Sequence, residues 1–478
     1  MFQELFEKIE KETDVIDWKV DGIYIWRYER FTIHRYFTEK EYQQGARVQI
    51  ARDTNGKRLL DFIKLYLRHP EKPQGKKDIL IFNHSRRVWD GDVFVCKYTE
   101  EISRHYDNSV TYETVFNDKH LEPTDTHDLR YLDRIILESY LYELLNKKFV
   151  RIKYKKTFEV IKKRLEDLLG DYAQEDDIKY VAKSMTKNLY LIKYRMGRME
   201  RMISAINPKI IIEVVGYSRN NMIVNEIAKR KKIPTIELQH SQINEQLVQY
   251  MWPTHRKMIE QFPEYLFTFG EFWSYGLELP IDEKHVVPVG FAYFEDQIEK
   301  TKKKKICENL ESDVVFISQY MAGKTVYELA MECCKLNDDL RILYKLHPEE
   351  YDIWEQRYPE LKEYPNIHVI TDVSVSLYDC FAATHAVVGV FSGALYEAVA
   401  FDLPIYLYQD GQYIKNMEKL IDINGAKVIN SAKELLNDLE QTGAKKTVAP
   451  EQEIWKKNAE TNLFREIDRI INDNEREK

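Results

Sequence analysis

At 478 residues the chain is too long for one ordinary hydrophobic core, so two or more domains are expected. Its 44% hydrophobic and 31% charged residues describe a soluble globular protein, while 32 tyrosines and only 17 glycines argue against disorder and glycine-rich repeats. The net charge of −8 disfavours a broad nucleic-acid-binding surface.

The N-terminal "MFQELFEKIEKETD" is charged and amphipathic, which does not read as a signal peptide. "YIWRYERFTIHRYF" mixes aromatic residues with arginines; it suits either an anionic membrane surface or an alternating strand. "KDILIFNH" reads as a buried strand, and "VFVCKYT" follows it after "SRRVWDGD". From about Leu129 to Ala205 the pattern is helical with almost no breakers. A βαβ unit comes next: a strand Ile210 to Val215, a polar turn Gly216 to Asn220, a helix from Asn221 to Arg230 and a strand Thr235 to Leu238. "YLFTFGEFWSYGL" and "HVVPVGFAYF" suggest two more short strands with a helix between them. The charged stretch after Phe294 is the best linker, a reading compatible with a solvated helix face, and its "KKKK" is a second candidate for contact with an anionic bilayer.

From Val314 the strands "VVFISQ", "RILYKLHP", "IHVIT", "AVVGVFS" and "PIYLYQ" alternate with helices, the pattern of a doubly wound parallel sheet. The expected class is therefore α/β, with two Rossmann-like domains facing across a cleft and a large helical insertion in the first. The expected boundaries are an α/β domain over 1–295 with a helical region near 129–205, a linker over 296–312, a nucleotide-binding domain over 313–445 and a helical tail over 446–478 that packs back on the first domain. Five cysteines (Cys96, Cys307, Cys333, Cys334 and Cys380) show no C-x-x-C spacing, which suits a reducing cytosol without disulfides or zinc knuckles. No apolar run approaches the roughly 20 residues that span a bilayer, so the expected location is cytoplasmic, with any membrane contact peripheral.

Ligands of such sheets bind at the carboxyl ends of the strands, and the polar residues cluster there. In "SGALYEA", Ser392 can cap a helix, Gly393 and Ala394 open its N-terminus to a phosphate, and Glu397 points away from the Leu395–Val399 stripe, free to accept ribose hydroxyls. Plain packing explains the same turn. In "YKLHPEE", His347 can donate to a phosphate oxygen, with Lys345 on the same side of the strand. In "FISQYMAGK", Ser318 and Gln319 follow a strand, but the P-loop spacing is missing, so ATP hydrolysis is not supported. In "IELQHSQIN", Gln239, His240 and Ser241 end the βαβ unit beside the Ser218–Arg219 turn. In "FNHSRRVWDGD", a hairpin explains Asp90 and Asp92 better than a metal site does, and His84, Arg86 and Arg87 are candidates for an anionic acceptor.

The order "LQHS", "SQ", "KLHP", "SGALYEA" resembles bacterial GT-B glycosyltransferases of surface-polysaccharide assembly over roughly residues 205 to 425. It is similar to sialyl- and Kdo-transferases with a His-Pro motif, and to teichoic-acid glycerophosphotransferases. The resemblance implies that His347, Ser392 and Gly393 contact the donor phosphate, that Glu397 holds the ribose, and that His240 lines the cleft near the reacting carbon. It further implies an inverting, metal-independent transferase that needs no cofactor beyond its nucleotide-sugar donor. A CMP-activated acidic sugar is the favoured donor, and a polysaccharide or lipid-linked glycan the acceptor. A CDP-polyol phosphate transferase, a catalytically silent binding subunit and a UDP-sugar epimerase of similar fold are the alternatives. Two residues depart from the family pattern: Ser241 replaces the usual Gly after "QH", and Gly393 replaces a second hydroxyl. Asp90, Glu213 and Glu237 are the candidate acidic bases.

Overall fold

The computed structural model describes residues 2–42, 63–69, 75–117, 119–253, 259–304, 310–371, 375–409, 411, 414–442 and 454–476. Cys307, Lys305 and the expected boundary at 445/446 lie outside them. The chain divides into two compact units, one of residues 1–268, 274–288 and 461–478 and one of residues 269–273 and 289–460.

The first unit is built on a seven-stranded sheet. Its strands in chain order are β1 (Ile79–Phe82), β2 (Ser109–Glu113), β3 (Leu129–Tyr131), β4 (Ile210–Val214), β5 (Thr235–Leu238), β6 (Tyr265–Thr268) and β7 (Val286–Pro288). All are parallel, in the order β7-β6-β5-β4-β1-β2-β3. Sequences such as "ILIF" and "IIIEV", buried at every position, are what a parallel sheet covered on both faces requires. Between β3 and β4 run three helices, Asp133–Phe149, Arg151–Leu169 and Glu175–Ile206, and the last of these ends at Asn207 in the left-handed conformation. The chain leaves β1 in one direction and returns to β4 on its other side. The sheet therefore has a switch point between β1 and β4, where loops part and leave room for a ligand.

The second unit carries six parallel strands: β8 (Val314–Ile317), β9 (Ile342–Lys345), β10 (Ile367–Ile370), β11 (Val387–Gly389), β12 (Ile405–Tyr408) and β13 (Lys427–Ile429). Their order is β10-β9-β8-β11-β12-β13, the Rossmann arrangement, and the first unit repeats it with one strand more. Here the switch point lies between β8 and β11. Both units are thus doubly wound α/β sheets, and each turn singled out in the sequence follows a strand at or next to a switch point.

One local expectation is corrected, and two further stretches are filled in. "YIWRYERFTIHRYF" is neither an interface nor mainly a strand: after the two residues Ile23–Tyr24 it forms the helix Ile25–Tyr42. Trp26, Arg30, Ile33 and Phe37 recur three or four residues apart and are buried, so the helical period prevails over the apparent alternation. The stretch after Phe294 is largely the helix Ala292–Lys303, anchored by buried Phe294 and Thr301, and Lys304 pairs with Asp379. The strands β2, β3 and β13 have no counterpart in the sequence reading. Asp90 and Asp92 flank Gly91 (φ +73°) in a two-residue hairpin between Val88–Asp90 and Val93–Val95.

Candidate functional site

At the end of β5 a carboxylate and an imidazole are held close together. Glu237 is buried, and its Oε1 accepts the Gly216 N–H (2.9 Å) and the Tyr250 O–H (2.8 Å). Its cross-strand partner on β4 is Glu213, whose Oε1 accepts from the Asn225 amide (2.8 Å) while Oε2 is buried without a partner. Gly216 bridges the two acids, because a Cβ there would fall 2.5 Å from Glu237 Oε2 and 2.9 Å from Glu213 Oε1. The preceding Val215 has φ +63°, a costly conformation for a β-branched residue, and strain of this kind gathers at functional turns. Burial, reinforced by the charge of Glu237, pushes the Glu213 pKa well above the carboxylate range. Burial also lifts Glu237 to about 7, against the opposing pull of Gly216 and Tyr250. The pair therefore holds a proton on Glu213 at neutral pH while Glu237 sits near its midpoint.

His240 stands above this pair. Its Nδ1 is 3.9 Å from Glu237 Oε1, its Nε2 is 3.2 Å from the Tyr217 hydroxyl, and its carbonyl accepts the Tyr98 O–H (2.8 Å). Burial first, then the neighbouring His84 and Lys97, lower its pKa to about 3, so the ring is neutral. A proton arriving at Nε2 creates an imidazolium whose Nδ1–H faces the Glu237 carboxylate. At 3.9 Å the carboxylate is beyond hydrogen-bond reach, and Nδ1 is buried without a hydrogen-bond partner, so the support that Glu237 gives in this arrangement is electrostatic.

The expected acceptor-side residues separate into two groups. His84 lies 6.1 Å from His240 ring to ring, its Nδ1 accepts the Arg86 N–H (3.1 Å), and Arg86 is exposed. Arg87 is a correction. Its guanidinium is wholly covered, donates to Glu113 (2.8 Å), Glu100 (3.3 Å), Thr124 and Thr126, and holds loops together instead of meeting an acceptor. Gln239 is buried and donates to the Ser241 carbonyl (2.8 Å), so it shapes the loop, while Ser241 is exposed. Ser218 caps the helix Arg219–Lys231, accepting the Asn221 N–H. Both Ser218 and Arg219 line a cavity of 320 Å³, small for a ligand pocket, walled also by Phe31, Arg35, Tyr217 and Trp252. Arg219 grips Glu29 with two nitrogens (2.8 and 2.9 Å), and the Trp252 indole N–H, buried at the wall, has no acceptor. Tyr217 belongs both to this cavity and to the His240 contact.

In the second unit, the His-Pro sequence is a capping device. His347 Nδ1 accepts the Glu349 N–H (3.3 Å), Pro348 occupies the first helical position, and buried Glu350 reaches back to the His347 N–H (3.0 Å). With Nδ1 an acceptor, the proton of the neutral ring sits on Nε2, which becomes an outward donor from a side chain 26% exposed. Lys345 donates to the Val375 carbonyl (3.0 Å). Ser392 caps the short helix Gly393–Val399: its Oγ accepts the Ala394 N–H (3.2 Å) and the Gln319 side-chain N–H (2.8 Å). Among the described residues, nothing beyond the turn and its own helix backbone lies within 4 Å of where a Gly393 Cβ would stand, so the space in front of this turn is open. Glu397 is half-buried, while Leu395 and Val399 are covered. Ser318 is a correction: it is 2% exposed, its N–H closes on the Lys345 carbonyl (2.9 Å), and it presents nothing to a donor.

Sequence reasoning did not single out Tyr98, Tyr217 and Tyr250. Tyr217 had a visible signal, since it lies inside the flagged turn "GYSRNN". Tyr98 reaches the site from another loop and Tyr250 from further along the loop after β5, and neither had one.

No family model matches the chain, and no curated protein matches it. Among solved structures, the chain is similar to the UDP-GlcNAc 2-epimerase of Methanocaldococcus jannaschii at 10% identity and a TM-score of 0.48, over 82% of this chain and 99% of that one. The Neisseria meningitidis UDP-GlcNAc 2-epimerase bound to UDP-GlcNAc gives 12% and 0.46, over 82% and 99%. The wall teichoic acid polymerase TagF gives 11% and 0.46, over 94% and 98%.

Proposed function

We propose that the chain is an inverting glycosyltransferase of the GT-B type, working at the cytoplasmic side of surface-polysaccharide synthesis. The observation that supports this reading best is the His240 assembly: a neutral imidazole at a strand end, with a hydroxyl at Nε2 and a buried carboxylate behind Nδ1. In this reading the second unit holds the nucleotide-sugar donor and the first unit receives the acceptor. His240 Nε2 takes the proton of the acceptor hydroxyl as its oxygen attacks the anomeric carbon. The bond from that carbon to the donor phosphate breaks, and its electron pair leaves with the phosphate oxygen. His347 Nε2–H and the backbone at Gly393 stabilise that charge by hydrogen bonds instead of a metal. Glu237, 3.9 Å from Nδ1, charge-balances the imidazolium that forms. The favoured donor is a CMP-linked acidic sugar.

A thermal-shift screen with CMP, CDP, UDP and GDP tests the donor, because a ligand of the folded state raises its apparent stability. A response to CMP alone supports the acidic-sugar reading, and one to CDP alone selects polyol-phosphate transfer. A UDP response with conversion of UDP-GlcNAc in the absence of acceptor selects the epimerase. No response to any nucleotide refutes the transferase. With the donor known, His240→Ala is expected to lower kcat by about 10²–10⁴, the usual contribution of a general base. Unchanged turnover would remove His240 from the mechanism.

A further inference from the structure

The helices Asp133–Phe149 and Arg151–Leu169 meet at Val150, whose ψ of 39° breaks the helical run. The last buried residue of the first helix is Glu143, and the first buried residue of the second is Thr157. The turn between them stands clear of the core. A turn in that position is ordinarily made of charged and polar residues, because nothing covers it.

This one is strongly apolar. Leu144 is 48% exposed, Leu145 54%, Phe149 71%, Val150 43% and Ile152 88%, with Leu141 and Val160 exposed on its flanks. Leu141, Leu145 and Phe149 recur at four-residue spacing, with Leu144 beside them, on one face of the first helix, and Val150 and Ile152 follow across the break. Basic residues are interleaved with them. Lys147, Lys148, Arg151, Lys153, Lys155 and Lys156 are all exposed, and no acidic residue occurs from 144 to 158. This concentration of positive charge sits in a chain whose net charge is −8. Of the six, Lys153 is engaged by Asp21 (3.2 Å). Tyr154 anchors the turn from beneath, donating to Glu143 (2.8 Å) and stacking on Tyr190.

We infer that this turn, centred on Phe149–Ile152, docks the protein on an anionic lipid surface. Exposed Phe, Ile, Val and Leu enter the boundary between headgroups and acyl chains, while lysine and arginine stems lie along the apolar side and carry their charges to the lipid phosphates. A single-stranded or duplex nucleic acid would use the charges but leave the aliphatic side chains in water. Among the described residues no helix is long and apolar enough to cross a membrane. The site differs from both patches suggested by the sequence: the aromatic one is buried in the helix Ile25–Tyr42, and Lys304 of the lysine run is paired. The inference does not depend on the reaction proposed above.

The test is co-sedimentation of the full chain with phosphatidylcholine vesicles, and with vesicles containing phosphatidylglycerol as well. Binding is expected only to the anionic vesicles and should weaken with added salt. Phe149→Ser with Ile152→Ser should weaken it about 100-fold, at about tenfold for each apolar side chain withdrawn. Lys147→Gln, Lys148→Gln and Lys155→Gln together should weaken it by a similar factor, at about fivefold per charge. All these side chains are exposed, so the melting curves of the variants should overlay that of the wild type, and their nucleotide thermal shifts should be unchanged. Equal binding to neutral and anionic vesicles would overturn the inference, as would binding that survives the Phe149–Ile152 substitutions. Failure of the wild type to bind, with a dimer that the same substitutions dissociate, would assign the turn to a second copy of the chain instead.

Discussion

Replacing Glu237 by glutamine should make the protein more stable at alkaline pH while damaging its chemistry. The carboxyl is fully buried and its pKa is raised from 4.5 to about 7. An acid whose folded pKa lies above its unfolded one favours folding while protonated. That contribution is fully present below pH 4.5 and is lost as the pH rises through about 7. At about 1.4 kcal/mol per pH unit, the loss is about 3 kcal/mol. Glutamine has nearly the same shape and can still accept from Gly216 and Tyr250, but it never becomes a buried charge. Glu237→Gln should therefore match the wild type near pH 4.5 and exceed it by about 3 kcal/mol at pH 8.5. The measurement is the urea midpoint of both proteins across that range, followed by tyrosine and tryptophan fluorescence. The difference between the two curves reports this group together with Glu213, whose pKa the Glu237 charge raises, and cancels titrations far from the pair. A constant difference between pH 4.5 and 8.5 would refute the reasoning, and a variant less stable at high pH would reverse its sign.

Two further outcomes separate structural from functional roles. Arg87→Ala should cost about 3–5 kcal/mol in denaturant unfolding, because it strands the buried carboxylates of Glu100 and Glu113; a change in acceptor KM with stability intact would instead restore Arg87 to the acceptor side. His347→Asn should keep the helix cap, since asparagine is a favoured capping residue, yet lose the outward Nε2 donor; turnover should fall with the melting temperature held, and unchanged turnover would leave His347 a cap and nothing more.

The parallel sheets were legible because fully buried strands such as "IIIEV" and "VVFI" give continuous apolar runs with turn residues after them. The strands β2 and β3 were not, since "SVTYE" is polar although buried at every position, and "LRY" is only three half-buried residues. The helix Ile25–Tyr42 was obscured because aromatic residues favour strands, while its packing follows the helical period. Within the site, His240 and His347 stood out by chemistry and by position after a strand. The roles of Arg87 and Ser318 did not, because an arginine in a polar loop and a serine after a strand look the same whether covered or open. The proton shared by Glu213 and Glu237 depends on a β4–β5 register that no local pattern announces.

The helical insertion also bears on how the chain reaches this state. At the centre of the second sheet Val315 pairs with Val387, whereas at the centre of the first Ile79 pairs with Ile210, closing a loop nearly twice as long. Doubling a loop adds only about 0.6 kcal/mol of closure entropy, so the equilibrium hardly registers it. The kinetics do, because contacts distant in sequence form slowly. The β1–β4 seam, which sets the Val215–Arg219 turn beside the His84 loop, is expected to be among the last parts of the first unit to close. Until then β1 and β4 present open edges to other chains, which makes the unit that carries His240 the one exposed to misassembly during folding.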